Sequence, residues 1–146
     1  MDATNFQLDD LFSFLTGKAS TAIGRRLQRN FNAAGLTITQ EQWSVLMALW
    51  AKDGLSQQEI CNEVFKDRPS VTRLIDNLEK YGYVQRTKVK DDRRTNMICT
   101  TEKGKALEIS TKKIAQDTLY EALAGVTQAE MLVCKMVLGK VFENIK

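Results

Sequence analysis

The chain has 146 residues, 43% hydrophobic and 27% charged, with a formal net charge of +3 and no histidine. This size and composition fit a single domain with a real core and exclude a disordered or collagen-like chain. The missing histidine removes Ser-His-Asp and Cys-His catalysis and His-ligated zinc, which argues against an enzyme.

Residues 6–34 carry Leu8, Leu11, Phe12, Leu15, Ala19, Ala22, Ile23, Leu27 and Phe31 at helical spacing, predicting a long first helix. Asp9 and Asp10 suit its positive end, and Arg25, Arg26 and Arg29 its last turns. Gly17 and Gly24 mark a bend or a close crossing, and Ala34-Gly35 a C-terminal stop. Thr39 with Gln42 forms a capping box that opens a second helix, whose apolar stripe is Trp43, Leu46, Met47 and Trp50. Asp53-Gly54 closes it. Ser56 with Glu59 opens a short third helix, with Ile60 and Val64 facing inward. Asp67 is a good N-cap for a fourth helix, with Pro69 in the first turn. Val71, Leu74, Ile75 and Leu78 form its apolar face, while Arg68, Ser70, Thr72, Arg73, Asn77 and Lys80 form the opposite one. Tyr81-Gly82 ends it.

From Tyr83 the period changes to two. Val84, Arg86, Lys88 and Lys90 alternate with Tyr83, Gln85, Thr87 and Val89, and a second β-prone run spans residues 95–100. Around Asp91-Asp92-Arg93-Arg94 this predicts a β-hairpin with a tip longer than two residues. Thr101 caps a helix expected to reach about Ala124, with Leu107, Ile114, Leu119, Ala122 and Leu123 apolar. Thr127 with Glu130 opens the last helix. That helix is apolar on more than one face, from Met131 through Ile145, a surplus that implies a partner helix from another chain.

Charge is local. The excess of +3 falls entirely in residues 55–105, and residues 80–94 hold six basic side chains against two acidic ones. A basic patch on a near-neutral chain points to an anionic partner at one place, or to a solvated hairpin. Cys61, Cys99 and Cys134 are far apart with no C-x-x-C pair, which fits a reducing compartment better than a disulfide scaffold or a zinc ribbon. No stretch approaches the ~18 apolar residues of a membrane span, and the acidic start lacks the features of a secretory signal. The expectation is a soluble, cytoplasmic protein with no metal and no cofactor.

Residues 56–82 thus read as a helix-turn-helix, followed directly by a basic hairpin. On DNA, the second helix fits the major groove and the hairpin reaches toward the minor groove. Here the sequence resembles the MarR family of bacterial winged helix-turn-helix regulators. The resemblance is carried by GLTITQEQWSVLMAL, LSQQEI, DRPSVTRLIDNLEKYGYVQR, DDRRTN and TEKGKAL, and covers nearly the whole chain. It implies a mainly α fold with a small β-hairpin wing. Residues 1–146 would form one such domain, with 6–34 and 106–146 as dimerisation helices and 37–105 as the winged helix-turn-helix. It also implies a homodimer that binds a pseudo-palindromic operator in double-stranded DNA and is released by a small aromatic or phenolic effector. The family's D-x-R wing motif matches Asp92-Arg93-Arg94, which makes Arg94 the candidate minor-groove residue and Asp92 its brace. Thr100 stands where the family usually has an apolar residue, and the first helix lacks the cysteine of the family's peroxide-sensing branch.

The candidate DNA-binding residues are Arg68, Ser70, Thr72, Arg73, Asn77, Arg86, Lys88, Arg93 and Arg94. Trp43, Met47 and Trp50 read as core, or as the aromatic wall of an effector pocket. Cys61 and Cys134 read as small buried hydrophobes and Cys99 as the better thiol candidate. Three functional readings follow: a repressor that binds specific DNA sequences, a thiol-based redox sensor on the same fold, and a winged-helix protein-interaction module that does not bind DNA.

Overall fold

Side-chain caps set most of the helix starts. Thr39, Ser56, Asp67, Thr101 and Thr127 each accept a backbone N–H from the first turn of the helix that follows. Thr39/Gln42, Ser56/Glu59 and Thr127/Glu130 close as reciprocal capping boxes. In the computed structural model, which describes Gln7 and residues 11–146 apart from the side chains of 93–95, the chain order follows from these caps. It runs α1 (Phe12–Ala33), α2 (Gln40–Ala51), β1 (Leu55–Ser56), α3 (Gln57–Val64), α4 (Arg68–Lys80), β2 (Val84–Val89), β3 (Asp92–Thr100), α5 (Glu102–Lys105), α6 (Glu108–Ala122) and α7 (Gln128–Ile145). The expected contributions of Leu8, Asp9 and Asp10 to the first helix lie outside the described residues.

The core gathers buried side chains from α1 to α4 and from all three strands. Phe31, Ile38, Val45, Leu46, Leu49, Ile60, Val71, Ile75, Leu78 and Ile98 are all fully buried. Of the α4 face read from periodicity, Val71, Leu74, Ile75 and Leu78 are all buried, as expected. The stripe on α2 is rotated from expectation. Gln42, Val45, Leu46 and Leu49 are buried, whereas Trp43, Met47 and Trp50 are half-buried on the flank. The cause is the cap: Gln42 turns its amide back onto Thr39, where Oε1 accepts the backbone N–H at 3.0 Å, so its stem can sit inside.

Three expectations about elements are corrected. First, the sheet has three strands, in the order β1-β3-β2, because Leu55-Ser56 pairs antiparallel with Ile98 and Met97. Second, the hairpin turn itself is only Lys90-Asp91, with Asp91 in the left-handed region at φ 75°. The extra length sits instead in a bulge, since Lys88 pairs with Asn96 and Val89 with Asp92, leaving residues 93–95 of β3 without counterparts. Third, the helix expected from Thr101 to Ala124 is broken into α5 and α6 at Ala106-Leu107. On α6 the fully buried residues are Thr111 and Thr118, not the apolar positions, and Leu119 is exposed. Each threonine donates its hydroxyl to the carbonyl four residues back, at 2.7 and 2.8 Å, which satisfies it inside the fold.

Gly24 crosses α2 closely enough that a Cβ there would overlap the Gln40 side chain, whereas Gly17 has nothing nearby. The α1–α6 contact is polar as well as apolar. Arg26 grips Glu121 with two bonds, at 2.5 and 3.0 Å, and Asn30 donates to Thr118 at 2.8 Å. On α7 no residue is buried; among the described residues its one aromatic contact is Phe142 edge-on to Phe65, with ring centroids 5.0 Å apart. Cys61 is buried as expected, but Cys134 is exposed on α7, correcting that reading.

Candidate nucleic-acid interface

The α3–turn–α4 unit is locked by local hydrogen bonds. Phe65 ends α3 in the left-handed region, φ 51°, reversing the chain over two residues before Asp67 caps α4. The Asp67 carboxylate accepts the Ser70 N–H at 2.7 Å, and this bond holds its carboxyl below the usual carboxylate range. Across the turn, the Gln57 amide donates to the Arg68 carbonyl at 3.4 Å and to the Thr72 hydroxyl. Thr72 in turn donates to the Arg68 carbonyl at 2.9 Å. Gln57 was not legible as a functional residue; its position just inside the Ser56 cap is the only signal it leaves in the sequence.

The outer face of α4 carries the residues expected there. Arg68 and Arg73 are exposed, Ser70, Thr72 and Asn77 half-buried. Neither arginine has an ion pair among the described residues, so both guanidiniums are available to a ligand. Thr72 is already engaged in the turn, which leaves its hydroxyl with little capacity for an outside partner.

At the end of α4, Gly82 takes φ 78° and passes its N–H to the Glu79 carbonyl, while Tyr83 returns to the Leu78 carbonyl at 2.9 Å. This stop aims β2 back along α4. The wing therefore leaves the helix at a defined angle, and Lys88 projects exposed from its outer edge. Arg86 is different. It lies on the same side of β2 as buried Val84 and reaches α4, pairing with Asp76 at 2.6 Å and Glu79 at 2.8 Å. Its own backbone N–H also donates to Glu79, at 3.1 Å. The period-two alternation already placed Arg86 beside Val84; what the sequence left unseen was its two acidic partners on the preceding helix. The side chains of Arg93 and Arg94 lie outside the described residues. Asp92 is exposed at the first position of β3.

The wing is anchored at its base. Asp53 accepts both the N–H and the hydroxyl of Thr100, at 2.9 and 3.1 Å, which accounts for a threonine at that position. Thr101 donates to the Gly82 carbonyl at 2.6 Å. Gly104 packs so closely on the Tyr83 backbone that a Cβ would overlap its carbonyl oxygen.

The tryptophan flank makes packing contacts. Trp43 stacks edge-on against Phe31, with centroids 5.8 Å apart, and Trp50 donates to the Gly104 carbonyl at 3.3 Å. A cleft of about 700 Å³ opens elsewhere, between α1, the start of α2 and the end of α3. It is lined by Thr21, Arg25, Gln28, Gln40, Ser44 and Lys66 among others. Among the described residues no group of acidic or cysteine side chains could hold a metal ion, and no helix is long and apolar enough to cross a membrane.

Residues 38–95, from the residue before the α2 cap to the wing bulge, match the MarR family. Over 120 residues the chain is 33% identical to the HTH-type transcriptional regulator TtmR of Methylorubrum extorquens, covering 82% of this chain but only 58% of that relative's length. Over 130 residues it is 32% identical to the HTH-type transcriptional regulator SarZ of Staphylococcus epidermidis, covering 89% of this chain and 85% of SarZ. The solved structure of Bordetella bronchiseptica BpsR, whose DNA binding is described as regulated by 6-hydroxynicotinic acid, has the same fold. It aligns at a TM-score of 0.83 and 19% identity, over 94% of this chain and 98% of that one.

Proposed function

Because the chain belongs to the MarR family of DNA-binding transcriptional regulators, we propose that it acts as a homodimeric repressor, setting α4 of each subunit into the major groove and its wing against the neighbouring minor groove. The observation that carries this reading is the division of α4. Its apolar face is wholly buried while Arg68 and Arg73 stand exposed on the other side, without an ion pair among the described residues, at the helix half whose free N–H groups favour phosphate. Lys88 on the wing adds a further exposed positive charge.

The second subunit is supported by apolar exposure. Leu15 on α1 and Leu132 on α7 are 58% and 70% exposed, and Met136, Val137, Leu138 and Phe142 join them. A row of this kind on two terminal helices calls for a cover, and a C2 copy of the same helices supplies one. Operator selection from random duplex DNA tests the reading. Recovery of an inverted repeat with half-site centres about 10 bp apart, or a multiple of that, supports it. A pool that never enriches contradicts it.

Release by a small effector is a finer part of the proposal. It is supported by the description of BpsR and by the α1–α2 cleft, whose Arg25, Lys66 and hydroxyl lining suits an anionic or hydroxylated small molecule. The aromatic wall expected from Trp43, Met47 and Trp50 gives way here to a polar one. Titration with 6-hydroxynicotinic acid and simple phenolic acids, read as loss of DNA binding, checks this arm. Insensitivity of an Arg25→Ala variant to an acid that releases the wild type supports the location.

A further inference from the structure

We propose that Arg86 is a positioning residue for DNA binding, holding the wing at a fixed angle to α4. The proposal rests on the reading that α4 and the wing engage DNA together. Three features of the structure carry it. The guanidinium spans two carboxylates one turn apart on α4, Asp76 Oδ1 at 2.6 Å and Glu79 Oε1 at 2.8 Å. The same Glu79 takes the Arg86 backbone N–H at 3.1 Å through Oε2, so the β2 main chain as well as its side chain is tied to the helix. The Arg86 side chain is only 22% exposed, held against α4 rather than extended into solvent.

A planar fork is the group this geometry needs. Arginine presents donors in two directions from one rigid plane and can meet two carboxylates at once, whereas a lysine ammonium is a point charge on a flexible stem. The wing is a two-stranded projection with a bulge near its tip, so its direction depends on what holds its root. The brace and the Asp53–Thr100 bonds hold that root from different strands: Arg86 secures β2 and Asp53 secures β3.

The test reads opposite signs for the two roles. If Arg86 contacted phosphate, replacing Asp76 and Glu79 by Asn and Gln would free it and remove negative charge, so DNA binding would tighten. As a brace, Asp76→Asn/Glu79→Gln weakens binding by about five- to tenfold on a labelled duplex selected from random DNA. In the DNA-free protein, the same double variant raises amide hydrogen exchange across β2 and β3 by about tenfold while the rest of the fold keeps its protection. Arg86→Lys keeps the charge but not the fork, and weakens binding nearly as much as Arg86→Gln. Tighter binding by the double variant, wild-type affinity of Arg86→Lys, or unchanged exchange in the wing would each overturn the proposal. Should wild-type protein show no salt-dependent DNA binding, the DNA reading fails instead, and with it the positioning role, whereas the exchange experiment still reads the brace itself.

Discussion

Arg73 and Asp67 show two kinds of residue-level information on one helix. Arg73 is exposed and aimed outward by the helical period, so its effect belongs to the complex and not to the fold. Arg73→Ala is expected to leave thermal stability unchanged, weaken specific binding by about 1–3 kcal/mol and relax preference at one operator position. Anisotropy on matched and single-substituted duplexes measures it. Asp67 acts within the fold. Its ionised carboxylate accepts the Ser70 N–H, as Glu59 and Glu130 accept the N–H groups of Ser56 and Thr127, and all three carboxyls are held below their ordinary values by those bonds. The ionised form is thus favoured when folded. Its stabilisation is complete above the unfolded carboxylate range and is lost as pH falls below about 4, through the lowered values. Urea midpoints at pH 7 and at pH 3 should therefore differ less for Asp67→Asn, which caps without a charge, than for the wild type. An identical fall in both would contradict the assignment. These residues were legible because a cap, its partner three positions on and an amphipathic period are all local. Arg86 was legible only as a basic strand residue, since its meaning depends on two carboxylates that the fold, not the local sequence, brings to it.

At the scale of elements, the long helices and the hairpin were readable and the joints between elements were not. A two-residue strand such as β1 has no periodicity to detect; it exists because Leu55 and Ser56 meet Ile98 and Met97. The break between α5 and α6 follows from a tertiary contact as well. Thr101 starts a helix that must lay the Gly104 backbone on Tyr83, and Trp50 then bonds the Gly104 carbonyl. Gly104→Ala should press a methyl group into the Tyr83 main chain and destabilise the protein by about 1–3 kcal/mol. A thermal melt checks this, and an unchanged Tm would show that the joint is looser than its geometry. The α2 stripe was legible in part: Leu46 is fully buried and Trp43 and Trp50 pack against the core, but capping consumed the polar end of Gln42 and allowed a glutamine inside, which leaves the tryptophans at the edge.

For the whole molecule, the surplus of apolar side chains on α7 was plain in the sequence, and in the single chain that helix stays uncovered. The proposed partner subunit would account for it. Leu138→Asp would bury an unpaired charge in such an interface at a cost of about 3–5 kcal/mol, so sedimentation should find monomer where the wild type is dimeric. A wild-type monomer at micromolar concentration would remove the dimer from the account. On the proposed function, two copies of α4 and the wing neutralise phosphates on one duplex. The most direct test is a titration of the wild-type protein onto a selected operator across a salt series. With several phosphate contacts per subunit, affinity should fall by roughly two decades or more between 50 and 200 mM salt. Affinity that stays flat over that range would contradict it.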